Sequence, residues 1–84
     1  MEKKLVGKVT HFFGKISVAV VDLTAELRAR DRISIEGPAG VVEQLASSMQ
    51  IDKAPVESAG RGQSIGLKVD SRVKEGDLVY LLSE

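Results

Sequence analysis

One spacing of residues occurs twice in this chain, in Leu27-Arg28-Ala29-Arg30-Asp31-Arg32-Ile33 and in Val73-Lys74-Glu75-Gly76-Asp77-Leu78-Val79. Each segment has an apolar residue, two intervening residues, a turn residue, an aspartate, one variable residue and then a β-branched residue. An aspartate side chain in such a turn accepts hydrogen bonds from nearby main-chain amides. Both segments therefore predict a tight turn that leads directly into a strand.

The rest of the chain has the composition of an all-β protein. Short runs rich in valine and isoleucine are separated by glycine, aspartate or proline, which is typical of strands and their connections. The runs that predict strands are residues 5–13, 16–21, 33–36, 64–69 and 77–82. Gly14-Lys15 predicts a hairpin turn between the first two, because glycine tolerates the positive φ that such turns need. In the second run Ile16, Val18 and Val20 point in one direction.

Two segments are harder to interpret. The apolar residues of segment 41–51 fit a helical period as well as a strand period, and its alanine, glutamine, leucine and methionine favour a helix by propensity. Residues 23–27 are also long enough for one turn of helix. If segment 41–51 is a strand, the chain has five or six short strands, which predicts a small closed barrel without exposed sheet edges.

Length and composition limit the kinds of protein to be considered. A chain of 84 residues with 43% hydrophobic and 29% charged residues predicts one globular domain, residues 1–84. Twelve basic and twelve acidic residues give no net charge, so general attraction to nucleic acid or lipid is not expected. There is no cysteine, no apolar run of about 20 residues and no apolar signal-peptide core. We expect a soluble, cytoplasmic protein with no membrane partner.

Several segments together resemble a known barrel. Val6-Gly7-Lys8-Val9-Thr10-His11, the two turn-Asp segments and Gly62-Gln63-Ser64-Ile65-Gly66-Leu67-Lys68-Val69 are similar, in this order, to the second-domain barrel of translation GTPases of the elongation factor Tu type. Within that superfamily the amino-acid sequence of these segments most resembles that of the C-terminal barrel of the collagenase-like peptidase family. The similar stretches there are Gly7 to His11, Ser48-Met49-Gln50-Ile51 and Gly76 to Tyr80.

This resemblance implies a closed six-stranded β-barrel of the translation-protein domain-two type, in which segment 41–51 is a strand. In translation factors the barrel helps to hold aminoacyl-tRNA or contacts the ribosome, and in the peptidase family it is an appended module. Two departures stand out. Arg30 replaces the glycine usual before Asp31, and Gly37-Pro38-Ala39-Gly40 replaces a loop that more often carries threonines.

Residues for catalysis or cofactor binding are sparse. Gly14-Lys15 lacks the earlier glycine and the following Ser or Thr of a phosphate-binding loop, and Gly60-Arg61-Gly62 has the wrong spacing for a dinucleotide fingerprint. His11 is the only histidine, so neither a zinc site nor a serine nucleophile with its base is expected. We therefore expect a protein that is not an enzyme and has no catalytic residue, no metal and no nucleotide or other cofactor.

The strongest candidate binding residues are basic. Arg28, Arg30 and Arg32 would point the same way if the segment were extended, and Lys15 and Arg61 can add to the patch. Such a patch suits phosphates, whereas the alternative is a solvated turn whose arginines pair with neighbouring carboxylates. Phe12 and Phe13 must face opposite ways, so at least one is expected outside the core or at its rim, where it can meet a base or a protein.

We therefore expect a non-catalytic, translation elongation factor-like binding module. Its partner would be RNA, either tRNA or the ribosome, or another component of the translation apparatus. The partner-binding residues would be Phe12, Lys15, Arg28, Arg30, Arg32 and Arg61. The alternative is a protein-interaction module that docks in trans onto a larger enzyme, such as a collagenase-like peptidase, by an apolar surface around Phe12 or Phe13. Salt distinguishes the two, because binding to phosphates weakens steeply with ionic strength.

Overall fold

Ten strands connected by turns and loops make up residues 2–83, the part of the chain that the computed structural model describes. They are β1 (Glu2–Phe13), β2 (Val18–Leu23), β3 (Leu27–Arg28), β4 (Arg32–Gly37), β5 (Gly40–Leu45), β6 (Met49–Ile51), β7 (Ala54–Pro55), β8 (Ser58–Ala59), β9 (Ser64–Lys68) and β10 (Leu78–Ser83). Within residues 2–83 there is no helix that has the length and apolar character to cross a membrane. The all-β prediction is confirmed, and segment 41–51 consists of strands rather than a helix.

Eight of the strands form one antiparallel sheet in the order β5-β4-β10-β1-β2-β9-β6-β7, and β3 pairs with β8 in a separate two-stranded sheet. The 12-residue strand β1 pairs with β10 along its first half and with β2 along its second half. Irregular register near Val6 and near Thr10 marks two bulges, which bend a strand and let it take part in both halves of a strongly curved sheet.

The prediction of a closed six-stranded barrel is not confirmed, because the sheet formed by residues 2–83 has eight strands and no main-chain ladder between these residues joins its two ends. A side chain spans part of the gap instead. Gln44 in β5 donates from Nε2 to the main-chain oxygen of Lys68 at 2.9 Å, and its Oε1 accepts the N–H of Asp70 at 2.8 Å. This buried amide thus joins β5 to the end of β9 across the open side of the sheet.

The inner face of the sheet carries a core of small and β-branched side chains. Its fully buried members include Val6, Val9, Ile33, Leu67 and Val79, which come from the four strands β1, β4, β9 and β10. Valine and isoleucine fit closely against the pleated surface of a curved sheet, which explains why these residue types fill the core. The aromatic Phe12 is half-buried and packs against this core from its edge.

The predicted turn before β4 is present, and Arg30 adopts the left-handed backbone conformation with φ of 73°. The side chain of Asp31 accepts the N–H of Arg28 at 3.0 Å, and the N–H of Asp31 donates to the oxygen of Arg28 at 3.1 Å. Arg30 and Asp31 also bond to Ala46 on the neighbouring strand segment. Arg30 therefore keeps the backbone shape that glycine usually provides at this position.

The second predicted turn, before β10, has the same bonds. The side chain of Asp77 accepts the N–H of Lys74 at 3.0 Å, and the N–H of Asp77 donates to the main-chain oxygen of Lys74 at 3.1 Å. Gly76 has φ of 93°. Gly76 and Asp77 bond to Val9, as Arg30 and Asp31 bond to Ala46. The shared spacing in the sequence thus corresponds to a shared structure.

A third turn of this kind precedes β9, at residues 60–63. The side-chain oxygen of Gln63 accepts the N–H of Gly60 at 2.7 Å, the N–H of Gln63 donates to the oxygen of Gly60, and Gly62 has φ of 88°. Gly62 and Gln63 bond in turn to Leu23. The same kind of turn therefore precedes three strands of the main sheet, β4, β9 and β10.

Candidate functional site

The β1–β2 hairpin carries the most exposed large apolar side chain in residues 2–83. Ile16 in the turn is 60% exposed and Phe13 at the end of β1 is 47% exposed. Val18 lies opposite Phe13 in the ladder, and Val20 lies two residues further along the same face, opposite His11. We call Phe13, Ile16, Val18 and Val20 the hairpin patch.

The patch exists because β2 is apolar on both faces. Ala19, Val21 and Leu23 point into the core and are buried. The side chains of Val18 and Val20 therefore point outward and are not part of the hydrophobic core. The alternating apolar residues Ile16, Val18 and Val20 that predicted this strand therefore lie on the outer face of the sheet. The hairpin turn predicted at Gly14-Lys15 is confirmed, but the residue with positive φ is Ser17 and not Gly14.

A groove of about 420 Å³ runs beside the hairpin patch. Its floor is Gly66 of β9, which lies opposite Val20 on one side and Gln50 of β6 on the other. A side chain at Gly66 would lie 3.4 Å from Cγ1 of Val18, so glycine keeps the groove open. The far wall is the β6–β7 turn, where Asp52 and Lys53 both have positive φ, as the tight turns favoured in hairpins require.

Polar groups are found at the borders of this surface. The His11 ring is tilted against the Phe13 ring with 4.4 Å between centroids, and its Nδ1 lies 3.2 Å from a carboxylate oxygen of Glu75. The Ser64 hydroxyl donates to Asp22. No cluster of three or more His, Cys, Asp or Glu residues suited to a metal ion occurs within residues 2–83. The arrangement is suited to bind an apolar surface by exclusion of water, with polar groups at the rim.

The structure places Arg28, Arg30 and Arg32 differently from the extended segment that suggested a phosphate-binding row. Arg28 to Asp31 form a tight turn, so the three side chains do not follow one face of a strand. Arg28 pairs with Glu26 at 3.4 Å on an exposed surface, and Arg32 lies opposite Leu45 in the β4–β5 ladder. The expected geometry is therefore wrong, and phosphate binding by these arginines stays a prediction without that support.

The other predicted binding residues are also dispersed. Lys15 is exposed in the hairpin turn next to Ile16, and Arg61 is exposed in the turn before β9. Phe12 packs against the core, whereas its neighbour Phe13 is the exposed aromatic residue. None of the six predicted residues lines the groove. The sequence signal that was missed is the apolar character of both faces of residues 16–21.

A polar network lies elsewhere on the outer face of the sheet. The ammonium of Lys3 donates to both carboxylate oxygens of Glu36 at 2.9 and 3.0 Å and lies 4.7 Å from the centre of the Tyr80 ring. The hydrogen bond to Glu36 raises the pKa of Lys3. Hydrogen bonds from Lys3 and from the Ser34 hydroxyl lower the pKa of Glu36. This network links β1, β4 and β10 outside the core.

Comparison with known proteins connects the chain with peptidases. No protein-family model matches it. It is 44% identical over 80 residues, 94% of its own length, to an uncharacterized protease of Methanocaldococcus jannaschii, of which it covers 20%. It is also 33% identical over 81 residues to a collagenase of Porphyromonas gingivalis, of which it covers 22%. The chain thus spans about a fifth of the length of the curated relatives it matches.

The fold is that of a solved peptidase domain. The C-terminal domain of a protein described as a U32 peptidase of Geobacillus thermoleovorans superposes with a TM-score of 0.89 at 16% identity, covering 95% of this chain and 93% of that domain. Its selenomethionine variant gives a TM-score of 0.86, covering 90% of this chain and 96% of that domain. These comparisons support the peptidase resemblance and do not show the translation-factor one. The chain is therefore similar in sequence to about a fifth of an uncharacterized protease and of a collagenase, and it has the fold of the C-terminal domain of a U32 peptidase.

Proposed function

We propose that this chain is a non-catalytic protein-binding module of a collagenase-like peptidase and that it docks onto the peptidase through the hairpin patch. The observation that carries the proposal is the similarity of 94% of the chain to only a fifth of a protease, which is the relation expected for an appended module. The peptidase-type partner replaces RNA as the leading proposal, because the comparisons support the former and the arginine geometry does not favour the latter.

The hairpin patch provides the energy for such docking. Phe13 as a whole residue is 47% exposed and a phenylalanine offers roughly 200 Å² of surface, so about 90 Å² is available for burial. At about 25 cal/mol per Å², its burial contributes about 2 kcal/mol, or roughly a 30-fold change in affinity. Ile16, which is 60% exposed, offers a similar amount. Two apolar anchors next to a groove have the character of interface hot spots, which are few and surrounded by a polar rim.

The test measures binding of the chain to the Methanocaldococcus jannaschii protease from which the matching fifth has been deleted. Isothermal titration calorimetry gives the dissociation constant for the parent chain and for Ile16→Ser. Val41→Ser is the matched control, because Val41 is 59% exposed but lies outside the hairpin patch. We expect Ile16→Ser to weaken binding by about tenfold or more and Val41→Ser to have little effect.

Salt provides a second measurement in the same experiment. An apolar interface changes little when salt is raised, whereas arginine–phosphate contacts weaken steeply. The proposal is wrong if the truncated protease does not bind the chain. It is also wrong if the two variants weaken binding equally, or if the affinity falls with salt as steeply as phosphate contacts require.

A further inference from the structure

The main sheet ends differently at its two edges. At one edge, β7 has two residues and the second is Pro55, which has no N–H to offer to another strand. At the other edge, β5 has six residues, contains no proline and exposes Val41 and Leu45. The β7 edge is therefore protected against strand addition, whereas the β5 edge is suited to it.

The register shows which main-chain groups of β5 are available. Gly40 lies opposite Gly37 across a two-residue turn, and such flanking residues bond to each other. The alternate residues Val42 and Gln44 then also bond to β4. Ala46 continues this series, since its N–H donates to the oxygen of Asp31. The N–H and C=O of the intervening residues, 41 and 43, consequently point away from β4, along the open edge.

A groove of about 380 Å³ lies along this open edge. One wall is β5 from Gly40 to Val42, and the other wall is the segment 71–74. Ile35 and Val73, both buried, are part of its apolar lining. The volume lies within the range of ligand pockets. Further along β5, Gln44 bonds to Lys68 and Asp70. We call this the edge groove.

The charges of the edge groove favour an acidic occupant. Arg72 and Lys74 line it and are exposed, and within residues 2–83 neither forms an ion pair with a carboxylate. The lining carboxylate, that of Asp77, is only 8% exposed and already accepts the N–H of Lys74. Two free cations on the wall opposite a strand edge are complementary to carboxylates carried by an extended peptide.

We propose that the edge groove binds an extended acidic peptide, which adds as a strand to β5. The main-chain groups of residues 41 and 43 pair with the peptide backbone, which is how strand addition provides affinity. Alternate peptide side chains face opposite ways, so apolar ones enter the groove while acidic ones reach Arg72 and Lys74. This inference goes beyond docking on the peptidase and uses a different surface of the chain.

The experiment uses a fluorescein-labelled pentapeptide of alternating valine and glutamate, with the valine–lysine pentapeptide as its control. Fluorescence anisotropy measures affinity, and amide NMR of the labelled chain locates the site. We expect saturable binding of the glutamate peptide, shifts of the amides of residues 40–43 and 71–74, and no saturable binding of the lysine peptide. Binding of both peptides with equal affinity, shifts confined to other residues, or no binding would overturn the proposal.

Three variants separate charge from main-chain pairing. The double variant Arg72→Glu, Lys74→Glu should weaken binding of the glutamate peptide by about tenfold or more, while Arg61→Glu, a single charge reversal outside the groove, should have little effect. Val41→Pro removes an N–H from the open edge, where proline is tolerated, and should also weaken binding by about tenfold or more. Amide dispersion of each variant shows that it remains folded.

A further variant distinguishes the two proposals. Ile16→Ser should leave peptide affinity unchanged even if it abolishes docking onto the peptidase, because Ile16 lies outside the edge groove. A parallel loss of peptide binding in this variant would show that the peptide occupies the hairpin patch and would overturn the edge-groove proposal.

Discussion

Substituting Gly37 by alanine should test how tightly the last residue of β4 is packed against the turn before β10. A Cβ at Gly37 would lie 2.6 Å from Cγ of Asp77 and closer still to its Oδ1. Ordinary contacts between carbon atoms are about 3.5–4.0 Å, so the carboxylate must move. Asp77 is 8% exposed and accepts the N–H of Lys74 at 3.0 Å, and this bond would be lost as it moves.

The expected cost combines two terms. Overpacking at a buried position costs about 1–3 kcal/mol, and a lost hydrogen bond to a charged group costs about 1.5–3 kcal/mol. The reduced freedom of the unfolded chain returns about 0.4–1 kcal/mol. We therefore expect Gly37→Ala to lower the free energy of unfolding by about 1.5–5.5 kcal/mol. Gly14→Ala is the matched control, because the nearest atom to its Cβ is Cε2 of Phe12 at an ordinary 3.6 Å.

The assay is urea unfolding followed by far-ultraviolet circular dichroism, since the chain has no tryptophan. The same substitution is then made in an Asp77→Ala background. Without the carboxylate there is nothing for the new methyl group to displace, so the cost of Gly37→Ala should fall to within about 0.5 kcal/mol of that of Gly14→Ala. An equal cost of Gly37→Ala in both backgrounds would refute the reasoning, because it would place the strain somewhere other than Asp77.

Three other substitutions test different parts of the structure. Gln44→Ala should lower the free energy of unfolding by about 2–3 kcal/mol in urea, because it leaves two main-chain groups at the end of β9 without partners. Arg30→Gly should stabilise the chain by up to about 1 kcal/mol by relieving a φ of 73°, whereas Arg61→Gly, at a residue without positive φ, should not. The lowered pKa of Glu36 stabilises the fold above the unfolded-state pKa of glutamate, and this contribution is lost as pH falls through the folded-state pKa. Lys3→Met should therefore raise the pKa of Glu36 in a carboxyl NMR titration and make stability less sensitive to acid.

The turns show what the sequence predicts well. Two of the three turns were predicted because an aspartate at a fixed distance from apolar residues commonly accepts hydrogen bonds from the main-chain N–H groups of its own turn. The third has Gln63 in the aspartate position, and its longer side chain makes the same bond to the amide three residues back. A search for aspartate alone misses this substitution, although Gly62 before Gln63 corresponds to Gly76 in the turn before β10, and Ile65 two residues later matches the β-branched residue of both predicted turns.

The strand order was harder to predict, because it depends on contacts between distant residues. Segment 41–51 has helix-favouring residues, yet β5 forms a ladder with β4 across a two-residue turn, and packing against the core outweighs propensity. The predicted closure of the barrel was not confirmed, for a related reason. Whether a curved sheet closes by a ladder, or is bridged by a side chain as β5 is bridged to the end of β9 by Gln44, depends on curvature to which the bulges in β1 contribute and which no local pattern records.

The alternative prediction of an apolar surface around Phe12 or Phe13 included one residue of the hairpin patch, Phe13. The other three were missed because the leading prediction searched the sequence for charge, while the surface that stands out in the structure is apolar. A strand that covers one core needs one apolar face, and in β2 that need is met by Ala19, Val21 and Leu23. The outward valines and the exposed Ile16 contribute nothing to that core and make the surface less soluble. An exposed apolar patch next to a groove is typical of a surface that binds a partner. The apolar residues that folding does not require are therefore the first place to look for the function of this chain.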